Sequence, residues 1–210
     1  MARFLAEYKA DVNVRHNTRS ATLGTAQYGA DEGGKDEVKI TLLTASEEGK
    51  LEIVELLLGQ GADINSRNEL YQTPLHKAAT KGHADVVRLL IERGAEVDPR
   101  EKWGWTPLRF ASRFGHADIV QVLVDNGANM DARKRDNATP INLSARNGHI
   151  EIVKVLLERG ADVHTLDDEG QTPYERSLKR GYREIADLLR KHGAGAERFD
   201  KSFDSNMISD

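Results

Sequence analysis

The 210-residue sequence has no cysteine, which removes disulfide frameworks, thiolate nucleophiles and cysteine-ligated zinc from consideration. An intracellular setting, cytoplasmic or nuclear, is the expectation that follows. Long apolar runs are missing as well. None approaches 18 residues, and the opening Met1-Ala2-Arg3-Phe4-Leu5-Ala6-Glu7-Tyr8 meets charge too early for a secretory core, so no membrane partner is expected. Nor is there an excess of cations: 30 Lys and Arg against 34 Asp and Glu leave a formal charge of -4. That balance argues against affinity built on phosphate backbones, and nucleic acid is not an expected partner. Gly33-Gly34 lacks the strand-helix context of a phosphate loop. Serine, histidine and acidic residues stand only in repeat-determined or scattered positions. No catalytic residue, metal ligand set or cofactor is therefore assigned, and the chain is not expected to be an enzyme.

What the sequence does have is a period. Thr-Pro recurs at Thr73-Pro74, Thr106-Pro107, Thr139-Pro140 and Thr172-Pro173, 33 residues apart each time. Gly49, Gly82, Gly115, Gly148 and Gly181 keep the same step, as do the Gly-Ala pairs starting at Gly61, Gly94, Gly127, Gly160 and Gly193; together they use more than half of the 18 glycines. Threonine accepts an orphan backbone N–H at a helix start and proline is pre-set for the first turn, so each Thr-Pro opens a helix. The glycine nine residues later closes it, because glycine alone takes the left-handed conformation without steric cost. A second helix follows with apolar residues at helical spacing, such as Val86, Val87, Leu89, Leu90 and Ile91, and ends at the Gly-Ala pair. Short polar stretches such as Ala95-Glu96-Val97-Asp98 then lead to the next Thr-Pro as protruding fingers.

One unit cannot bury its own apolar stripes, so the units stack into an all-α solenoid with a continuous core. Thr73-Pro74-Leu75-His76-Lys77-Ala78-Ala79, Gly82-His83, Leu89-Leu90 and Gly94-Ala95 together resemble the ankyrin repeat consensus, over about residues 40 to 194. The histidine of Thr-Pro-Leu-His is replaced elsewhere by Leu43, Arg109, Asn142 and Glu175. The expected organisation is a partial repeat at 1–13, an insertion or long finger at 14–39, repeats at 40–67, 68–100, 101–133 and 134–166, a C-terminal cap repeat at 167–194 and a flexible tail at 195–210. The cap is read from Arg190, which stands where the other units have Leu58, Ile91, Val124 and Leu157. An alternative placement makes Thr22 to Tyr28 a helix.

Binding residues are sought where the fold imposes no choice, on the fingers and the exposed face of the first helices. Leu70 and Tyr71 stand on one finger and Trp103 and Trp105, the only two tryptophans, on the next; Phe110 and Phe114 share a helix face with Arg113 beside them. Aromatics with arginine are the usual energetic centre of a protein interface. The competing reading is that these rings pack against the neighbouring finger. The positions before each helix-ending glycine run Glu47-Glu48, Thr80-Lys81, Arg113-Phe114, Arg146-Asn147 and Lys179-Arg180, from acidic to basic, with Arg135 among the finger cations. The expected partner is a protein or peptide with apolar side chains near Trp103 and acidic ones nearer Arg146, bound by a monomer; a solvated, internally ion-paired face is the alternative.

His83, His116 and His149 recur one unit apart, too dispersed for a metal site, and are expected to make structural hydrogen bonds. Leu57, Asp63, Ile64 and Asn65 are similar to the pattern of ankyrin proteins hydroxylated on a finger asparagine by an oxygenase. The resemblance implies an interaction module acting as adaptor, scaffold or inhibitor through a concave groove and its fingers, or alternatively a targeting part of a larger, enzymatic protein.

Overall fold

The computed structural model describes residues 10–11, 25–28, 40–133 and 137–195. Within them ten helices alternate between two rows. The first row is α1 (Leu42–Glu47), α3 (Pro74–Lys81), α5 (Pro107–Phe114), α7 (Pro140–Asn147) and α9 (Pro173–Arg180). The second is α2 (Leu51–Gly59), α4 (Ala84–Glu92), α6 (Ala117–Asp125), α8 (Ile150–Glu158) and α10 (Arg183–Lys191). Each helix packs on its partner within the pair and on its neighbours in the same row, which is an all-α repeat solenoid.

The helix starts follow from the threonines. Thr73 takes the N-cap position of α3 with extended backbone, and Pro74 begins the first turn. The third helical residue closes the cap from the other side, and here the units diverge. The Nδ1 atom of His76 accepts from the Thr73 N–H at 3.1 Å, the Oδ1 atom of Asn142 from the Thr139 N–H at 3.0 Å, and the Oε2 atom of Glu175 from the Thr172 N–H at 2.9 Å. In the first unit the cap slips by one residue: Thr41 is the N-cap and Thr44, not Leu43, completes the reciprocal pair.

The helix ends follow from the glycines. Gly82 closes α3 at a φ of 84°, and a Cβ built on it would lie 2.7 Å from the His116 ring, so the position needs glycine for its conformation and for its space. The histidines stand over these turns. The Nε2 atoms of His83, His116 and His149 lie 2.9, 3.2 and 3.0 Å from the carbonyl oxygens of Glu47, Thr80 and Arg113, each in the preceding unit. They thus satisfy carbonyls that end each first helix and tie one unit to the next.

The core runs unbroken through the stack. Leu42, Leu75, Leu108 and Ile141 fill it from the first row, and Val54, Val87, Val120 and Val153 from the second, all buried. In the last unit the exposed face carries Leu178, 49 % exposed where the other units bury Ser46, Ala79, Ser112 and Ala145, and Arg190 is exposed beside Asp187.

Ahead of the first pair, β1 (Ala10–Asp11), β2 (Thr25–Tyr28) and β3 (Ile40–Thr41) form an antiparallel sheet in the order β1-β2-β3, with Ala10 opposite Tyr28 and Thr25 opposite Thr41. The helical placement of Thr22 to Tyr28 is therefore wrong over Thr25–Tyr28. A threonine and a tyrosine, which favour extended pairing, stand between Gly24 and Gly29, which discourage helix extension. Most of the expected partial repeat, most of the insertion and the tail beyond Gly195 lie outside the described residues.

Candidate functional site

Three of the fingers are each built by one polar side chain. Asn68, Glu101 and Asp167 share a register, and each turns a single oxygen on two backbone N–H groups further along its own finger. Asn68 Oδ1 accepts from Leu70 and Gln72 at 3.0 and 2.9 Å, Glu101 Oε1 from Trp103 and Trp105 at 2.8 and 2.9 Å, and Asp167 Oδ1 from Glu169 and Gln171, both at 3.0 Å. Glu101 does this while buried. It is a positioning residue for both tryptophans that the residue-type search passed over; the recurrence of Asn68, Glu101 and Asp167 in a 33-residue register was the available signal. The Lys102 N–H donates to the Leu70 carbonyl at 2.9 Å, so the finger bearing Tyr71 and the finger bearing Trp103 are joined through the backbone.

At the tips, Tyr71 is 55 % exposed and Trp103 51 %, with Leu70 exposed beside them and the Lys102 ammonium 6.0 Å from the centre of the Trp103 ring. Tyr71 has a φ of 59°. Its counterparts one, two and three units on are Gly104, Asn137 and Gly170, with φ of 76°, 45° and 67°. The turn thus demands the left-handed region, which glycine takes freely and asparagine tolerates. A tyrosine there carries about 1 kcal/mol of strain. Strain held in place by the surrounding fold concentrates at sites of function.

Deeper in, the structure brings Trp105 and Phe110 together and buries half of each. Their ring centres are 5.1 Å apart, and Phe110 stands edge-on to His76 at 5.9 Å. The Nε2 atom of His76 lies 3.0 Å from the Trp105 carbonyl; with Nδ1 accepting from Thr73, Nε2 carries the proton and donates. Burial is the largest influence on this imidazole and lowers its pKa to about 4, so it is neutral in the fold. The guanidinium carbon of fully buried Arg109 lies over the Trp105 ring, 4.3 Å from its centre. The position that holds the consensus histidine in the preceding unit thus holds a cation under the tryptophan here. Phe110 meets the preceding unit at the His76 ring, Trp105 packs on Phe110 and Arg109 of its own unit, and Trp103 stays exposed.

On the outer face of α5, Arg113 and Phe114 are exposed, Phe114 by 48 %. The Arg113 guanidinium carbon lies 5.4 Å from the centre of Trp105 and 5.8 Å from that of Phe114, a cation within reach of two rings. Arg146 occupies the same register one unit on, half-buried. Arg135 lies outside the described residues.

Charge along this face is handled differently at its ends and its centre. Glu47 bridges Lys77 at 3.1 Å and Lys81 at 3.7 Å in the first two units. In the last, buried Arg176 meets buried Asp167 at 2.5 Å and Glu169 at 2.9 Å, and Lys179 meets Glu169 at 3.4 Å. Between them, among the described residues, Arg100, Arg113, Arg133 and Arg146 have no carboxylate partner. Internal ion pairing thus engages cations at both ends of the face, and among the described residues Arg113 and Arg146 at its centre take no part in it. Among the described residues no group of three or more histidine, aspartate or glutamate side chains could hold a metal ion, and no helix is long and apolar enough to cross a membrane.

Two family models match this sequence, one described as ankyrin repeats (3 copies) over residues 42–134 and one as ankyrin repeats (many copies) over residues 123–176. No curated protein matches it.

Proposed function

The chain belongs to the ankyrin repeat family, whose repeats are generally protein–protein interaction modules, and from that premise we propose that it works as an adaptor, scaffold or inhibitor that binds a protein or peptide through its concave first-helix groove and its fingers. The contact surface in this reading runs from Leu70, Tyr71 and Trp103 at the tips, past Trp105 and Phe110, to Arg113, Phe114, Arg135 and Arg146, and the protein acts as a monomer inside the cell.

The observation that supports it best is Tyr71. A large aromatic in a conformation that the other units reserve for glycine or asparagine costs stability and gains no core contact, since its side chain is exposed. With exposed Trp103 on the adjoining finger it supplies the rigid, amphipathic anchors that dominate protein interfaces.

The test pairs Tyr71→Gly with Trp103→Ala, which leaves Trp105 in its structural place. Affinity capture from cell lysate with the wild type and with the folded double variant should show proteins retained by the first and lost by the second. Equal retention of every captured protein would remove the fingertips from the binding surface.

A further inference from the structure

Arg113 and Arg146, with no carboxylate partner among the described residues, carry a more specific reading, which rests on the proposed binding surface. We infer that it recognises an acidic segment of a partner protein in the polyproline II conformation, with two carboxylates three residues apart, one on Arg113 and one on Arg146.

Three observations converge on this occupant. The first is preorganisation. The Arg113 guanidinium carbon lies over the Trp105 ring at 5.4 Å and over the Phe114 ring at 5.8 Å from their centres, two cation–π contacts that restrict the side chain while the residue as a whole remains exposed. A guanidinium restricted in this way and exposed to solvent can offer its N–H edge to a carboxylate in two parallel hydrogen bonds.

The second is the selective absence of internal partners. The fold has carboxylates to spare on this face and uses them on Lys77, Lys81, Arg176 and Lys179. Among the described residues Arg113 and Arg146 receive none, nor do Arg100 and Arg133 on the flanking fingers, which leaves these cations available to carboxylates from outside.

The third is spacing. Arg113 and Arg146 hold one register on α5 and α7, neighbours in the first row. Packed helices lie about 8–10 Å apart. A polyproline II segment rises about 3.1 Å per residue with three residues per turn, so residues i and i+3 share a face about 9 Å apart. A β-strand places same-face residues about 7 or 13 Å apart, and a helical ligand would need i and i+7.

The experiment uses the full chain and fluorescein-labelled dodecapeptides of a proline-alanine host with one leucine and two glutamates placed two, three, four or seven residues apart. Fluorescence anisotropy should show the three-residue spacing binding tightest. Arg113→Lys, which keeps the charge and loses the fork, should weaken that peptide about tenfold, and Arg146→Ala should do likewise. Both residues lie outside the core, and circular dichroism melts would verify that the variants fold. A different spacing binding best, binding indifferent to both substitutions, or no binding of any peptide up to about 1 mM would each overturn the inference. None of those results touches the fingertip reading, which stands or falls with Tyr71→Gly and Trp103→Ala.

Discussion

The C-terminal unit and the centre of the stack treat the same first-helix surface in opposite ways. In the last unit Arg176 occupies the register of Phe110 and is buried between Asp167 and Glu169, its charge neutralised inside the protein. At the centre the equivalent space holds the Trp105–Phe110 pair, and Arg113 and Arg146 near it have no carboxylate partner among the described residues. One region is arranged for the stability of its own end. The other leaves an aromatic platform, a ring-flanked arginine and a strained tyrosine whose arrangement a fold selected for stability alone would not retain.

The comparison is broken most severely by Asp167→Ala. It removes the partner that buries Arg176 and the oxygen that holds the last finger, and should destabilise the terminal unit by about 3–5 kcal/mol. Denaturant unfolding should show the loss, and hydrogen exchange should localise it to α9 and α10. An equally large loss from Arg146→Ala would erase the distinction, because it would make the central cation structural as well.

The next effect is a pH dependence of the central units. His76 has a folded pKa of about 4, below its ordinary 6.5, mainly because it is buried, so the unfolded chain binds the additional proton. Its contribution is complete above about pH 6.5 and is lost as the pH falls from there through 4. The size is on the order of 2–3 kcal/mol. Denaturant midpoints measured across that window should fall with pH in the wild type, and less steeply in His76→Asn, which borrows the cap of the 134–166 unit.

Tyr71→Gly sharpens the comparison because stability and binding should move in opposite directions. The substitution relieves the left-handed strain and should raise stability by up to about 1 kcal/mol after the added chain entropy of glycine. Ligand affinity should drop about tenfold with the loss of an aromatic anchor. A stability gain with unchanged binding would make the residue a mere imperfection of the turn.

The smallest expected effect is at Asp98. Its Oδ2 accepts from the Asn129 N–H at 2.8 Å while Oδ1 is buried without a partner, and burial raises the pKa of the carboxyl. One unit earlier Asn65 makes the same bond to Glu96 with a neutral amide. Asp98→Asn should therefore stabilise the stack by about 0.5–1 kcal/mol, measurable as a shift in Tm.

Much of this was legible in the chain. The Thr-Pro pairs and glycines fix helix ends through local backbone chemistry, and the apolar spacing assigns the buried faces, because these effects act within a few residues and repeat unchanged. Leu70, Tyr71, Trp103, Arg113 and Phe114 could be nominated from residue type and position alone, and their exposure agrees with that placement. The 33-residue register also held signals that residue type alone did not bring out, such as Tyr71 among Gly104, Asn137 and Gly170. The helical alternative for Thr25–Tyr28 failed because pairing with β1 and β3 is decided by distant segments.

What the sequence determined by itself was the architecture: a short repeat whose caps, stops and apolar stripes admit one way of stacking. What only the tertiary structure decided was the state of each polar and aromatic side chain. Whether a tryptophan is an anchor or a wall, and whether an arginine is neutralised or left open, depends on which side chains the folded stack brings together, some within the same unit and some, like His76 with Trp105 29 positions apart, from the preceding one. Trp105 is set by His76 and Phe110, and Arg176 by Asp167 and Glu169. Local propensity cannot carry that information; side-chain reach across the stack does.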